Sequence, residues 1–333
     1  MSDFRIVAVR GSLVESVHHV SAIVVGSDGR VIAHAGDPEL VTYWRSASKP
    51  FQLFPLVAEG GVERFGLDAE MLALACGSHN AEPEHRAVGA RWLAAVGLSE
   101  SDLSCGGHPS LWSAQAEQMI RDGVVPTPLW SNCSGKHAGL LALARLHGWP
   151  TEGYQAVGHP VQERVAASIA QWTGVPTDRL VWGVDGCTAA AVALPLSAMA
   201  RGYAALGTTS DPSLRLLREA MMTHPMMIAG SGRLETTLMH AWPGRVIAKI
   251  GAQGVFSAAL PKLGVGLALK VHDGEMRVSE RALLALLKQL VQRLDPTGDW
   301  PMAPLARWSA PEIRNTRGAV TGSYQSRGTL HFP

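Results

Sequence analysis

The alternation of apolar and polar positions opens as a sheet. Residues 4–9 (FRIVAV), 16–26 (SVHHVSAIVVG) and 31–36 (VIAHAG) alternate or run apolar with β-branched side chains, and Ser27-Asp28-Gly29 turns the chain between the last two. Three strands including a hairpin are predicted. From Ser46 the period changes to that of a helix. Phe51, Phe54 and Ala58 share one face with Leu53 and Val57 beside them; Pro50 falls in the first turn, where it is tolerated, and Pro55 is expected to kink the helix.

Further on, the pattern predicts helices over residues 68–76, ending in the loop Gly77-Ser78-His79-Asn80, and over 84–96 and 114–121, the latter closed by Gly123. Residues 134–147, stopped by Gly148, and 160–172, with Val161, Val165, Ile169 and Trp172 on one stripe, read as two more. A short strand is expected at 180–184. The nearly uncharged stretch 187–199 reads as a helix apolar on all sides, and Asp211-Pro212 opens another helix by the N-cap and N1-proline rule. Strands return at 246–251 and 265–271, followed by the turn His272-Asp273-Gly274, a long amphipathic helix over 279–294 capped by Ser279, and a Pro-rich surface excursion over 295–311. Strands, many helices, strands and a helix imply an α/β fold. Residues 1–45 and 230–333 form an antiparallel sheet domain flanked by helices, residues 46–229 an inserted mostly helical domain, and the active site lies in the cleft between them.

Composition adds four limits. Of 333 residues 47% are hydrophobic and only 17% charged, below the usual quarter, which implies extensive burial including an oligomer interface. A net charge of +1 gives no footprint for nucleic acid or an anionic membrane. No uncharged apolar run approaches the roughly 18 residues of a membrane span, and the start lacks the basic and apolar regions of a signal peptide, so the expected location is cytoplasmic. Four cysteines in so long a chain are not a disulfide framework and read as buried thiols, ligands or reactive groups.

Candidate chemistry begins at Trp44-Arg45-Ser46-Ala47-Ser48-Lys49. Residues three apart share a helix face, so Ser46 and Lys49 can act as a nucleophile and its base; the alternative is a helix-capping serine with a solvated lysine. Ser78, in the loop that ends the helix before it, offers a second hydroxyl. Cys133 stands at a helix N-terminus, which favours thiolate, and Cys187 is expected in a comparable position. Two thiolates can share a soft metal such as zinc, which takes about four ligands. Lys136, His137 and Asp185 are the nearby candidates for the rest, against the plainer reading of two buried small residues. Cys105 reads as structural. Lys249, an interior-strand lysine, is unusual enough to suggest a role.

Arg-Ser-Ala-Ser-Lys-Pro at 45–50, Cys-Gly-Ser-His at 76–79, Asn-Cys-Ser-Gly-Lys-His at 132–137, Asp-Gly-Cys at 185–187 and Lys-Ile-Gly-Ala-Gln-Gly at 249–254 resemble, in that order, motifs of the Rhizobium etli-type (class 3) L-asparaginases. The stretches 229–233 (AGSGR) and 314–318 (RNTRG) also fit, so the resemblance spans nearly the whole chain. It implies a fold similar to serine β-lactamases, penicillin-binding proteins and glutaminases. It also implies two Ser-Lys tandems, Ser46 with Lys49 and Ser78 with Lys249, Lys262 and Lys270 competing for the last place. Cys133, Lys136 and Cys187 match the family's zinc ligands, with water as a fourth, and Arg45, His137 and Asp185 match residues lining that site. Gln253 departs from the family pattern, which has an acid there. The implied activity is hydrolysis of the L-asparagine side-chain amide through an acyl-enzyme, with zinc assisting substrate binding, in a homodimer. A glutaminase or β-lactamase-like acyl hydrolase, and a non-catalytic amino-acid or metal-binding protein on the same scaffold, are the alternatives.

Overall fold

The computed structural model describes residues 3–309 and 311–333, and these form two compact units. The first gathers the N-terminal stretch to Thr42, the segment Pro195–Thr208 and the chain from Thr237 onward. Its sheet contains β1 (Phe4–Arg10), β2 (Leu13–Gly26) and β3 (Val31–Ala35), the three strands expected from the opening pattern. Later in the chain, beyond β4 (Val41–Tyr43), β5 (Val181–Val184) and β6 (Ala190–Pro195), come β7 (Ile247–Gly251), β8 (Val255–Leu260), β9 (Val265–Val271), β10 (Glu312–Arg314) and β11 (Val320–Arg327). The order is β10-β11-β1-β2-β9-β8-β7, with β3 also on β2. Among the described residues its strands pair antiparallel, for example Phe4 with Val20 and Ala22 with Leu269.

Burial along β2 shows how the sheet is covered. Residues 13–19 alternate between exposed and half-buried, while 20–26 are buried without interruption. A continuous apolar run is the mark of a strand covered on both faces. The helices Leu196–Thr208 and Met276–Leu294 supply the cover, the first packing on β2, β8 and β9 and the second on β1, β8, β9 and β11. Val278, Ala282, Leu283, Leu286, Leu287 and Leu290 form the buried stripe of the second. This helix starts three residues before the expected Ser279, because the Glu275 carboxylate accepts the Arg277 N–H; Ser279 instead donates back to the Met276 carbonyl.

The second unit comprises residues 43–194 and 209–236. Its centre is the helix Ser134–His147, buried from Ser134 through Ala144 and packed on the helices Lys49–Ala58, Ala69–Cys76 and Pro83–Ala95. Pro55 lies inside the helix Lys49–Ala58 and withholds the N–H that the Phe51 carbonyl would accept; the Ser168 hydroxyl donates to that carbonyl at 2.7 Å instead.

One expectation needs correction, and two features go beyond the expectations. Residues 187–199 are not a central helix: a turn leads into β6, which forms a hairpin with β5, and a helix begins only at Leu196. A short apolar run does not distinguish strand from buried helix, and Pro195 ends the strand. The Pro-rich segment is anchored by buried Leu305 and Trp308, although its residue 310 lies outside the described residues. Finally, the C-terminal strands β10 and β11, on either side of the 314–318 motif, were not anticipated. Among the described residues no helix is long and apolar enough to cross a membrane.

At Gly266 in β9, a Cβ would stand 2.1 Å from the Ala200 carbonyl oxygen and 2.2 Å from the Ala204 nitrogen. Backbone on both elements leaves no side chain to yield. Gly266→Ala is therefore expected to destabilise the fold by about 3 kcal/mol, read as a lowered midpoint in denaturant unfolding; an unchanged midpoint would refute this packing.

Candidate active site

All the candidate residues except the three later lysines lie in the second unit. Arg45–Ser48 form a 3-10 turn, and the α-helix begins only at Lys49. The turn keeps Ser46 and Lys49 on one side, since positions three apart eclipse in a 3-10 helix, and the Lys49 N–H donates to the Ser46 carbonyl. The Lys49 side chain is 1% exposed. Its Nζ donates to the Gly77 carbonyl, to Ser78 Oγ at 3.1 Å and to the Asn132 carbonyl at 3.2 Å. Lys49 thus meets the hydroxyl of the second expected tandem directly, while half-buried Ser46 is joined to it through the backbone.

The loop carrying Ser78 is held by its backbone. Ser78 N–H donates to the Ile228 carbonyl at 2.7 Å and Asn80 N–H to that of Ala229 at 2.9 Å. A Cβ on Gly77 would lie 2.3 Å from the Met227 oxygen, so only glycine lets the loop approach this closely. The Glu82 carboxylate accepts from Asn80 Nδ2, Ser231 N–H and Ser231 Oγ, and Arg233 donates to the Ser78 carbonyl and Asn80 Oδ1. Two stacked, buried imidazoles, centroids 5.0 Å apart, complete the support. His79 Nδ1 accepts from Ala81 N–H, so its Nε2–H donates to Ser134 Oγ; His85 Nδ1 accepts from Glu82 N–H and its Nε2–H donates to the Met226 carbonyl.

The second cluster forms around Lys136. Its Nζ lies 2.9 Å from Cys187 Sγ, and Cys187 hydrogen-bonds Cys133, the N-cap of the helix Ser134–His147. All three side chains are buried. The hydrogen bond from Cys187, aided against burial by the Lys49 and Lys136 charges, holds the Cys133 thiol well below its ordinary pKa; the same bond and burial push Cys187 up. Burial opposes charge on Lys136, but Cys187, Cys133 and Asp185 outweigh it and raise its pKa. Asp185 pairs with Arg45 at 2.7 and 3.1 Å, and against burial these bonds and Lys136 lower its pKa. Cys187 therefore owes its position to a turn, not to a helix start. Among the described residues no group of three or more His, Cys, Asp or Glu forms a metal site. The donors that do converge are two thiols and one amine, a set zinc accepts once the amine is deprotonated, leaving a fourth position open.

His137 is fully buried on the same helix. Its Nδ1 is 2.7 Å from Tyr154 Oη, and its Nε2 has no hydrogen-bond partner among the described residues. Burial, then the charges of Lys136 and Lys49, hold its pKa well below the usual value, with the Cys187 main chain opposing. Burial raises Tyr154 to about 12 and Cys105 to about 11, which leaves Cys105 an inert thiol.

In the first unit Lys249 sits on β7, fully buried, and donates to the Ile250 carbonyl at 2.8 Å. Lys262 is exposed and Lys270 half-buried. The sequence motifs already contained Ser78, Asn132 and Arg233, but not their contacts. Tyr154 and His108, whose Nε2 accepts the Asn132 N–H at 3.0 Å, carried no signal, being single residues in irregular segments. Among the described residues the non-glycine positions at positive φ are Arg45 (54°), Ala81 (59°), Thr188 (75°) and Gln253 (61°). Each flanks or lies within a motif, and left-handed backbone costs about 1–3 kcal/mol per residue, as is usual where function fixes geometry.

The family model described as L-asparaginase II matches residues 6–326. No curated protein sequence matches the chain significantly. Similar solved structures include a β-lactamase from Mycobacterium bovis (14% identity over 83% of this chain and 94% of that one, TM-score 0.44). Mglu in its native form shares 20% identity (85% and 66% covered, TM-score 0.37), and EstCE1, a hydrolase with promiscuous acyltransferase activity, shares 11% (78% and 91%, TM-score 0.40). All these scores are below 0.5, so the architecture above rests on the strand and helix arrangement itself.

Burial leads the causes that hold both His79 and His85 below 6.5, and neither ring is charged in the fold. The unfolded chain then takes up their protons first as pH falls. Stability is expected to drop on acidification below about pH 6.5, by up to about 1.4 kcal/mol per pH unit for each ring. Denaturant unfolding between about pH 7.5 and 5.5 should show a shallower acid loss for His79→Gln than for the unmodified protein; equal slopes would contradict the assignment.

Proposed function

The chain belongs to the L-asparaginase II family and is an amidohydrolase; from that premise we propose that it converts L-asparagine to L-aspartate and ammonia through a Ser-Lys nucleophile. The observation that most supports this is the buried Lys49 amine hydrogen-bonded to Ser78 Oγ, one 3-10 turn from Ser46. A neutral lysine has two N–H donors and one lone pair. Once Lys49 gives up the proton that faces Ser78, the Gly77 and Asn132 carbonyls hold its two remaining donors and the lone pair is left for a hydroxyl proton.

In the proposed reaction Ser46 Oγ attacks the side-chain amide carbon while its proton passes to Lys49. Backbone N–H groups near Ser46 stabilise the oxyanion. The C–N bond then breaks, the nitrogen leaves as ammonia with a proton relayed through Ser78, and water cleaves the resulting ester. Lys249 serves as the second lysine, since of the three candidates it alone is fully buried. Arg45, His137 and Asp185 contact the substrate. Zinc would be held by Cys133, Lys136 and Cys187, and when bound it supplies a Lewis acid that orients substrate oxygens. One observation favours a second reading of the nucleophile: the hydroxyl in direct contact with Lys49 is that of Ser78.

The first test is ammonia release from L-asparagine and L-glutamine side by side, with and without a chelator. Preference for asparagine is expected; release from neither amide would move the weight to a binding protein. Ser46→Ala is expected to lower turnover roughly a thousandfold or more, and peptide mapping after reaction with an electrophilic asparagine analogue should find the adduct on Ser46. An adduct on Ser78 would exchange the two serines.

The metal proposal has its own test. Cys133→Ser is expected to weaken zinc binding by more than about a hundredfold, judged from the cost of losing even indirect ligand support, while the melting temperature moves little. Undiminished zinc content in the variant would remove Cys133 from the ligand set.

A further inference from the structure

The buried imidazole of His137 has one nitrogen occupied and one without a partner among the described residues, and the occupied side reveals which nitrogen carries the proton. Tyr154 Oη accepts the Ser104 N–H at 3.0 Å, which uses an oxygen lone pair and leaves the phenolic proton to be donated. The acceptor within reach is His137 Nδ1 at 2.7 Å. Nδ1 is then the ring's lone-pair nitrogen and Nε2 carries the hydrogen.

We propose that Tyr154 is a positioning residue that locks His137 as an Nε2–H donor, so that this ring offers the Cys133, Lys136 and Cys187 pocket a hydrogen bond for a substrate oxygen and not a lone pair for metal. A protonated Nε2 cannot ligate zinc, which separates the role of His137 from that of Lys136, the residue before it. A buried N–H left unsatisfied is costly, so the site is built to be completed by an acceptor. The identity of that acceptor as an oxygen of an amino-acid substrate rests on the function proposed above. The tautomer does not.

The test is long-range proton–nitrogen correlation NMR on the uniformly nitrogen-15-labelled full chain, with the His137 signals assigned by their loss in His137→Gln. The unmodified protein is expected to show a single Nε2–H tautomer, which persists when zinc alone is added. Tyr154→Phe, which keeps the ring and removes only the hydroxyl, is expected to let the Nδ1–H form appear. With L-asparagine the same variant should raise KM about tenfold, the effect of one lost hydrogen bond of average quality, and change kcat less. An Nδ1–H tautomer in the unmodified protein, a switch to it on adding zinc, or no response to Tyr154→Phe would each overturn the proposal. Should neither amide be hydrolysed while the tautomer behaves as described, the asparaginase reading fails and the tyrosine lock stands.

Discussion

Removing the amine of Lys49 from water is the constraint around which the second unit is arranged. A buried lysine nitrogen needs acceptors or it destabilises the fold by several kcal/mol. Its acceptors come from three places: the carbonyl that ends the helix Ala69–Cys76, the next residue's hydroxyl, and the carbonyl that precedes Cys133. The helices Lys49–Ala58, Ala69–Cys76 and Ser134–His147 are therefore held by a polar contact as well as by apolar packing. Gly77 and the stacked neutral imidazoles exist, in physical terms, to let that loop run close enough to supply its two oxygens.

A chain so poor in charge can bury few ions, and this unit holds several buried or half-buried charges in polar contacts. Arg45 faces Asp185, Lys136 faces the thiols, and Arg233 lies 3.4 Å from fully buried Glu235. None of these pairs is an efficient source of stability, because desolvation cancels most of the attraction. Their concentration beside strained backbone at Arg45, Ala81 and Thr188 follows the usual division in which packing elsewhere carries the cost of a reactive site.

Much of this was legible in the sequence because the rules involved are local. The period-two opening, the helix stop at Gly148 and the proline at the start of the helix Pro212–Thr223 fix elements without knowledge of the partner. The stretch 187–199 failed for the complementary reason: alanine and valine suit a buried strand and a buried helix alike. The candidate site divided in the same way. Motifs brought forward Ser46, Lys49, Ser78, Cys133 and Cys187, since their residue types are chemically pointed. The hydrogen bond from Lys49 to Ser78, and the contact of Tyr154 with His137, depend on residues far apart in the chain, and no local pattern contains them.

Lys136 and His137 stand three and four positions after Cys133 at one helix start, so each can lie beside it. Which groups they meet is decided by residues off that helix. Cys187 engages Lys136, and Tyr154 engages His137. Cys187 is itself carried by a turn whose Asp185 is tied to Arg45, the residue before Ser46. The thiol and amine cluster and the serine-lysine group are thus connected through this half-buried ion pair as well as through the Asn132 carbonyl, which precedes Cys133 and accepts from Lys49. A shift of that turn would move Cys187 and the backbone at Ser46 together, and this makes Arg45 and Asp185 a mechanical link between the two groups.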